Sequence, residues 1–429
     1  MTLSALELAH VLLALGLLLV AAHAVGHVFA HFRQPRVIGE IVGGLLLGPT
    51  VFGALAGSVA AKAFPSTGAT PLVLDAIYQL GLLLLMFTAG AETRMTLGAQ
   101  ERRSVVAIGT LGILVPFAIG AAAVGVLGLS SWMGAAATRG SFVLVFSIAV
   151  AVTSIPVISR IMLDLGILQT SFARVVLGVA VLEDVALYVL LAIAIGLVTR
   201  SGSSQIGLPA LLGVDPTSGL NIAYHVIATV GFLAVSLVIG PPLYRRALKF
   251  RFNFIQRANP VAFQLAFMLT MTLIAVFLGV VPLYGSFLAG IVVGAQHGPH
   301  AEQAREAIRT FSFGFFVPIY FATVGLRLDL IHDLQPLAFV AFLLFACAAK
   351  ALSVYVGARL AREPHTAAVN LAIALNARGG PGIVLASVAL DAGIVNAHFY
   401  VTLVLLAIVT SLAAGAWLER VVRSGAPLR

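Results

Sequence analysis

Glu183 and Asp184 stand side by side in the apolar stretch Leu177–Tyr188. A charged side chain at the middle of a membrane helix costs about 2.5–3.5 kcal/mol on insertion scales, so an adjacent pair carries that cost twice. Burial and mutual repulsion both favour a protonated carboxyl, and the pair titrates as a coupled unit. A carboxylate that holds either a proton or a small cation makes the two compete, which is the chemistry of cation/proton exchange. A structural ion pair facing a neighbouring helix is the alternative use of these charges. Lys350, in Ala348–Leu352, is also expected near mid-span. Its ammonium is the natural counter-charge to Glu183 or Asp184, displaced when a cation arrives or held as a permanent buried pair.

Two interruptions in apolar runs are candidates to complete such a site. In Thr153–Pro156, including Ser154, the proline removes a backbone donor and frees an upstream carbonyl. In Asn376–Gly382, Gly379, Gly380 and Pro381 are expected to unwind the chain more severely. Half-helix ends carry N–H dipoles at one end and carbonyls at the other. If the broken spans cross, Arg378 and an acidic side chain could compensate those partial charges. Glu40 lies in the glycine-rich stretch Val37–Pro49, where small residues allow close helix packing. It reads as a gating or packing group. His23, His27 and His31 repeat at i, i+4 and i+8, a spacing open to metal binding or pH sensing. Beside Arg33 they read as interfacial histidines.

The elements that must hold these residues are membrane helices. Of 429 residues, 60% are hydrophobic and only 10% charged, and the mean hydropathy is +1.08. No soluble core hides that much apolar surface, so lipid is the solvent for most of the chain. Barrel strands alternate polar and apolar residues, whereas runs such as Gly81–Phe87 are continuously apolar. The expected class is therefore an all-α polytopic membrane protein with about thirteen spans. The first apolar run lacks a basic leader and is too long for a signal segment, so it is expected to be retained. The only cysteine, Cys347, excludes an intrachain disulfide and a cysteine metal cluster. No phosphate-binding glycine loop, zinc motif or nucleophile elbow occurs, so neither ATP-driven pumping nor an enzyme is indicated, and no cofactor is implied.

The net charge of +9 reads as membrane topology rather than nucleic-acid binding. With the N-terminus outside, one side collects only Lys62, Arg139, Arg200 and Arg327. The other side collects nearly all remaining Lys and Arg, from Arg33, Arg36 and Arg94 to Arg429, which makes it cytoplasmic. The chain also resembles itself. Pro35–Gly44 reads like Val281–Gly290, Phe87–Ala91 like Phe321–Gly325, and both Thr153–Pro156 and Ala377–Pro381 break an apolar span. These matches are offset by an odd number of spans, which inverts the second copy. Residues 1–198 form the expected first repeat, 199–257 a linker helix region and 258–429 the inverted second repeat. Such a repeat with corresponding breakers points to a secondary transporter with its site at the midplane.

The run Arg33–Pro49 is similar to the opening of the bacterial monovalent cation:proton antiporters of the second family, the Kef and NapA-like group. Thr153–Met162, the acidic pair and Asn376–Gly379 resemble that family in the same order, so the likeness covers nearly the whole chain. It implies an NhaA/NapA-like fold of thirteen helices, with a dimerisation domain, a six-helix core and two crossed discontinuous helices. It implies elevator-type exchange of Na⁺ or K⁺ for H⁺ across a bacterial inner membrane by a homodimer. By this resemblance Asp184 is the ion-binding aspartate and the ligand of the transported cation, Lys350 the membrane-embedded lysine, and Thr153 the threonine at the crossing. Position 183 is usually Asp, Asn or Gln in such proteins. Glu183 keeps the charge that accompanies electrogenic exchange but adds a methylene. Kef-type systems often append a nucleotide-binding domain, and none is expected here. A gated potassium efflux pathway and an exporter of an organic metabolite are the rival readings. The small aliphatic surroundings of Asp184 favour a bare ion.

Overall fold

The computed structural model describes residues 3–32, 34–92, 98–198, 207–213, 219–251, 253–296 and 298–429. Arg33, Arg94 and Arg200, used above for orientation, lie outside these residues, as does the side chain of Pro156. The first helices are α1 (Ala5–His31), α2 (Arg36–Leu47), α3 (Ala54–Ala63), α4 (Ala69–Ala91) and α5 (Ala99–Leu127). They are followed by α6 (Arg139–Ala151), α7 (Ile155–Asp164), α8 (Ser171–Gly196), a short α9 (Leu208–Leu211) and α10 (Gly219–Val238). Next come α11 (Gly240–Lys249), α12 (Phe254–Ala258), α13 (Pro260–Phe277), α14 (Pro282–Gly294) and α15 (Pro299–Phe311). The last are α16 (Val317–Leu326), α17 (Pro336–Leu360), α18 (His365–Ala374), α19 (Gly379–Asp391) and α20 (Ala397–Arg423). Among the described residues no strand forms, and the lone β-bridge joins Met133 to Val395.

Local chemistry sets several helix ends. Ser4 and Glu7 form a reciprocal capping box at the start of α1, and Thr138 with Ser141 does the same for α6. Proline opens α13, α14 and α17, where its missing N–H would be unpaired in any case.

Ten helical segments among the described residues are long and apolar enough to cross a membrane, or eleven if the pair bent by 47° at Ile239 counts as one. This falls short of the sequence expectation of about thirteen. The apolar helices Arg139–Ala151 and Pro282–Gly294 have only 13 residues each. At 1.5 Å per residue each reaches about 20 Å, less than the ~30 Å hydrocarbon core.

The chain divides into two compact units. The first comprises Met1–Pro71, Met95–Leu191 and Phe321–Arg429, and it contains both broken spans, α6–α7 and α18–α19. The second comprises Leu72–Arg94 and Ala192–Tyr320. Each unit has one helix crossing at near backbone contact. In the first, a Cβ at Gly44 would overlap the Ala322 carbonyl, and one at Gly325 would overlap the Ile41 carbonyl. In the second, a Cβ at Gly290 would meet the Phe87 carbonyl, and one at Gly90 the Phe287 carbonyl. Under the self-match noted above, Gly44 corresponds to Gly290 and Ile41 to Phe287. The α2 and α14 sides of the two crossings therefore use corresponding positions, while on the other side Phe87 and Gly90 lie one residue out of register with Ala322 and Gly325 under that match.

Candidate functional site

The two breaks meet inside the first unit. Val152, Thr153 and Ser154 link α6 to α7, and Leu375 to Arg378 link α18 to α19. The Ser154 N–H donates to the Ala377 carbonyl at 2.7 Å, and the Thr153 hydroxyl donates to the Leu375 carbonyl at 2.5 Å. Each break thus supplies partners for backbone groups that the other leaves free.

The structure corrects the sequence reading at the second break. Gly379, Gly380 and Pro381 are not unwound; they form the first turn of α19. A proline there loses no helical bond, because first-turn donors have none. A side chain at Gly379 would collide with Val157, which explains the glycine by close approach to α7. Pro156 likewise falls in the first turn of α7, and the break precedes it.

Hydroxyls cap the two half-helix N-termini. Ser154 Oγ accepts from the Val157 N–H of its own helix at 3.4 Å and from the Gly380 N–H of α19 at 3.1 Å. From α20, Thr410 Oγ1 accepts from the Arg378 N–H and Ser411 Oγ from the Gly379 N–H, at 3.3 and 3.2 Å. Sequence reasoning missed Thr410 and Ser411. Adjacent hydroxyls in an apolar span were the available signal, since such groups bond across helices in lipid.

Cations serve the half-helix C-termini. The buried Arg378 guanidinium donates to the Ala149 and Val150 carbonyls at 3.3 and 3.0 Å, to Ala346 O at 2.8 Å and to Asn376 Oδ1 at 2.9 Å. Lys350 Nζ donates to Ala151 O at 2.5 Å and Gly112 O at 3.0 Å. The last carbonyls of α6 therefore face two positive groups, the charge that a helix C-terminus favours. The acidic compensation anticipated for the N-termini is supplied by the hydroxyls.

Lys350 Nζ also lies 2.6 Å from Glu183 Oε1, both side chains being buried. The sequence left open which acid it would meet, and the bonded partner is Glu183. The Thr153 side chain neighbours the same carboxyl. Asp184 is fully buried, and among the described residues neither of its oxygens has a hydrogen-bond partner; Glu183 Oε2 has none either. A cavity with room for about one water lies against Glu183, lined by α5, α6 and α8 side chains including Phe117, Ile148 and Leu187.

Glu40 lies elsewhere in the unit, packed on α1 opposite Gly26. His23, His27 and His31 are exposed along α1. Among the described residues no group of three or more His, Cys, Asp and Glu could hold a metal ion.

Residues 14–424 match the transmembrane sodium/hydrogen exchanger family. The cation/H⁺ antiporter 19 of Arabidopsis thaliana is 29% identical over 94% of this chain and 48% of its own length. The chain thus spans about half of that relative. The Na⁺/H⁺ antiporter NhaS4 of Synechocystis sp. is 28% identical, with 95% of both chains covered. The solved sodium proton antiporter MjNhaP1 of Methanocaldococcus jannaschii superposes with a TM-score of 0.64 at 14% identity, covering 95% of this chain and 97% of that one. That likeness concerns the fold.

Proposed function

This chain belongs to the sodium/hydrogen exchanger family, and we propose that it is a secondary active antiporter exchanging Na⁺ or K⁺ for H⁺ across a bacterial inner membrane. The observation that carries this reading is Asp184, a buried carboxyl with two unpartnered oxygens, next to a Glu183 already neutralised by Lys350. Leaving a buried carboxylate bare is costly. A proton or a dehydrated monovalent cation removes the cost, and one excludes the other. Asp184 then alternates between H⁺ and the cation, with Glu183 Oε2 and Thr153 as further oxygens at the site. The one-water cavity beside Glu183 fits a bare ion better than an organic solute.

Alternating access proceeds by an elevator movement of the unit that holds the crossed breaks. The proposed thirteen passages take the broken α6–α7 and the short α14 as crossings beside the eleven long apolar spans. The inverted repeat, 1–198 and 258–429 about a linker, is supported by the close approaches of the matching Gly44 and Gly290. The N-terminus faces outward and the C-terminus the cytoplasm, by the distribution of Lys and Arg, and the working form is a homodimer. Glu183 retains a first-position charge, so exchange moves net charge.

The test is proton flux in proteoliposomes on addition of Na⁺, K⁺ or Li⁺, with wild type and Asp184→Asn in parallel. Wild type exchanges at least one of these cations, and the Asn variant falls to background. Equal rates from the two proteins would sink the mechanism. An imposed membrane potential alters the rate if charge moves, and a flat voltage response contradicts electrogenic exchange.

A further inference from the structure

The self-match of Pro35–Gly44 with Val281–Gly290 pairs Glu40 with Ser286, and the two side chains differ in how their polar atoms are satisfied. Ser286 is fully buried, and its hydroxyl donates to the Leu83 carbonyl at 2.7 Å across the crossing of α14 with α4. Glu40 is 8% exposed, and its Oε2 is wholly enclosed with no hydrogen-bond partner among the described residues. Ser286 fills the matching position with a small hydroxyl. The first copy instead carries an ionisable group without a partner.

Among the described residues, Glu40 has no donor bonded to its Oε2. It packs against Gly26 of α1, with α1 and α2 so close that a Cβ at Gly39 would lie 2.7 Å from the Val25 carbonyl oxygen. A helix backbone at that distance presents N–H groups that its own turns already use. Arg36, one turn earlier on α2, is the charge that acts on Glu40. The histidines of α1 nearest in sequence to this contact, His23, His27 and His31, are all exposed. Helix α16, which packs on α2 at Gly44, carries no charged residue, and Arg327 just beyond it bonds Asp391 at 2.7 Å. Asp391 is in turn the one acid of α19. A buried carboxylate in such a place is unfavourable unless a proton neutralises it.

We infer that Glu40 is a second proton-binding carboxyl in the unit that holds Glu183 and Asp184, loaded and emptied separately from Asp184. It rests on the exchange reading above only for its consequence in transport. Proton binding itself is a property of the side chain in its pocket. Such a group adds its own limb to the pH dependence of exchange, and Asp184 need not change occupancy for it to titrate.

Two readouts test this on the full-length protein in lipid. In infrared difference spectra recorded across a pH titration, wild type shows a protonated-carboxyl band that disappears in Glu40→Gln and in Glu40→Ser and moves in Glu40→Asp. In proteoliposomes, one limb of the exchange-against-pH profile is lost in Gln and Ser and restored in Asp. A residue that only fills space would give an isosteric Gln variant with the wild-type profile. A band that persists unchanged in Glu40→Gln, or a superimposable pH profile, overturns the inference. If Gln and Ser fail to fold, Glu40→Asp decides alone, and a band that does not move counts against it. The infrared result stands whether or not Asp184→Asn abolishes exchange, so failure of this inference and failure of the transport reading are separable.

Discussion

The Lys350 ammonium lies 2.6 Å from Glu183 Oε1, while both oxygens of the adjacent Asp184 lack a hydrogen-bond partner among the described residues. Neighbouring residues on a helix point about 100° apart, so one lysine cannot serve both carboxyls equally. The pair is thereby divided into a compensated acid and a bare one.

Removing Lys350 should strand Glu183 as an unpaired buried charge. Lys350→Ala is expected to lower stability by about 3–5 kcal/mol, the usual effect of deleting one partner of a buried pair. Replacing both, with Lys350→Met and Glu183→Leu, should recover part of the loss because no lone charge remains. Thermal unfolding in detergent distinguishes the cases. A double variant less stable than Lys350→Ala would mean that Lys350 acts chiefly through the Ala151 and Gly112 carbonyls.

The crossing of the two breaks should depend on Ser154 more than a surface cap would. Its hydroxyl serves α7 and α19 together, so Ser154→Ala is expected to cost about 1–2 kcal/mol or more. Thr153→Val leaves the buried Leu375 carbonyl without its donor and should cost about 1–3 kcal/mol, whereas Thr153→Ser should retain most of the stability. Denaturation midpoints of the purified variants check both, and a Thr153→Val midpoint equal to wild type would contradict the assigned bond.

Backbone contact at the glycine crossings predicts strong sensitivity to size. Gly44→Val and Gly290→Val each force a side chain into a facing carbonyl, and overpacking of this kind costs about 1–3 kcal/mol or more. Gly231→Ala, with nothing within 4 Å of the added methyl, is the matched control and should be tolerated. Yield of monodisperse protein by size-exclusion chromatography is the measurement, and equal yields would count against the close approach.

Acid should loosen the chain after α20. Glu363, buried between α17 and α18, accepts from Arg429 Nε and NH2 at 2.9 and 2.7 Å and from the Ser104 hydroxyl. Burial alone would raise its carboxyl, but Arg429 and Ser104 outweigh that and hold it below its ordinary value. A depressed carboxyl stabilises the fold above its unfolded value and loses that contribution as pH falls through the folded one. The contact is therefore complete at neutral pH and fails only in acid below the ordinary glutamate range. Asn370 bonds both the Leu428 carbonyl and the Trp417 indole, so Trp417 fluorescence in a Trp132→Phe background reports the change. Glu363→Gln should show no such acid transition; the same transition in that variant would assign it to another group.

Much of this architecture is legible in the residues alone. Continuous apolar runs specify helices because lipid offers the backbone no other partners. The breakers around Thr153–Pro156 and Asn376–Gly382 mark the interrupted spans, and two acids in an apolar helix mark the candidate site. These are local properties, set by composition and chain stiffness. The partners were decided only by tertiary structure. Lys350 and Glu183 are 167 residues apart, and which of two adjacent carboxyls meets the ammonium depends on the rotation and depth of α8 against α17. Arg378 reaches carbonyls rather than an acid, and Ser154 caps a second helix, for the same reason. Hydropathy fixes that a span lies in the membrane, but it is nearly indifferent to rotation about the helix axis, and only side-chain packing between helices selects the register that joins these groups.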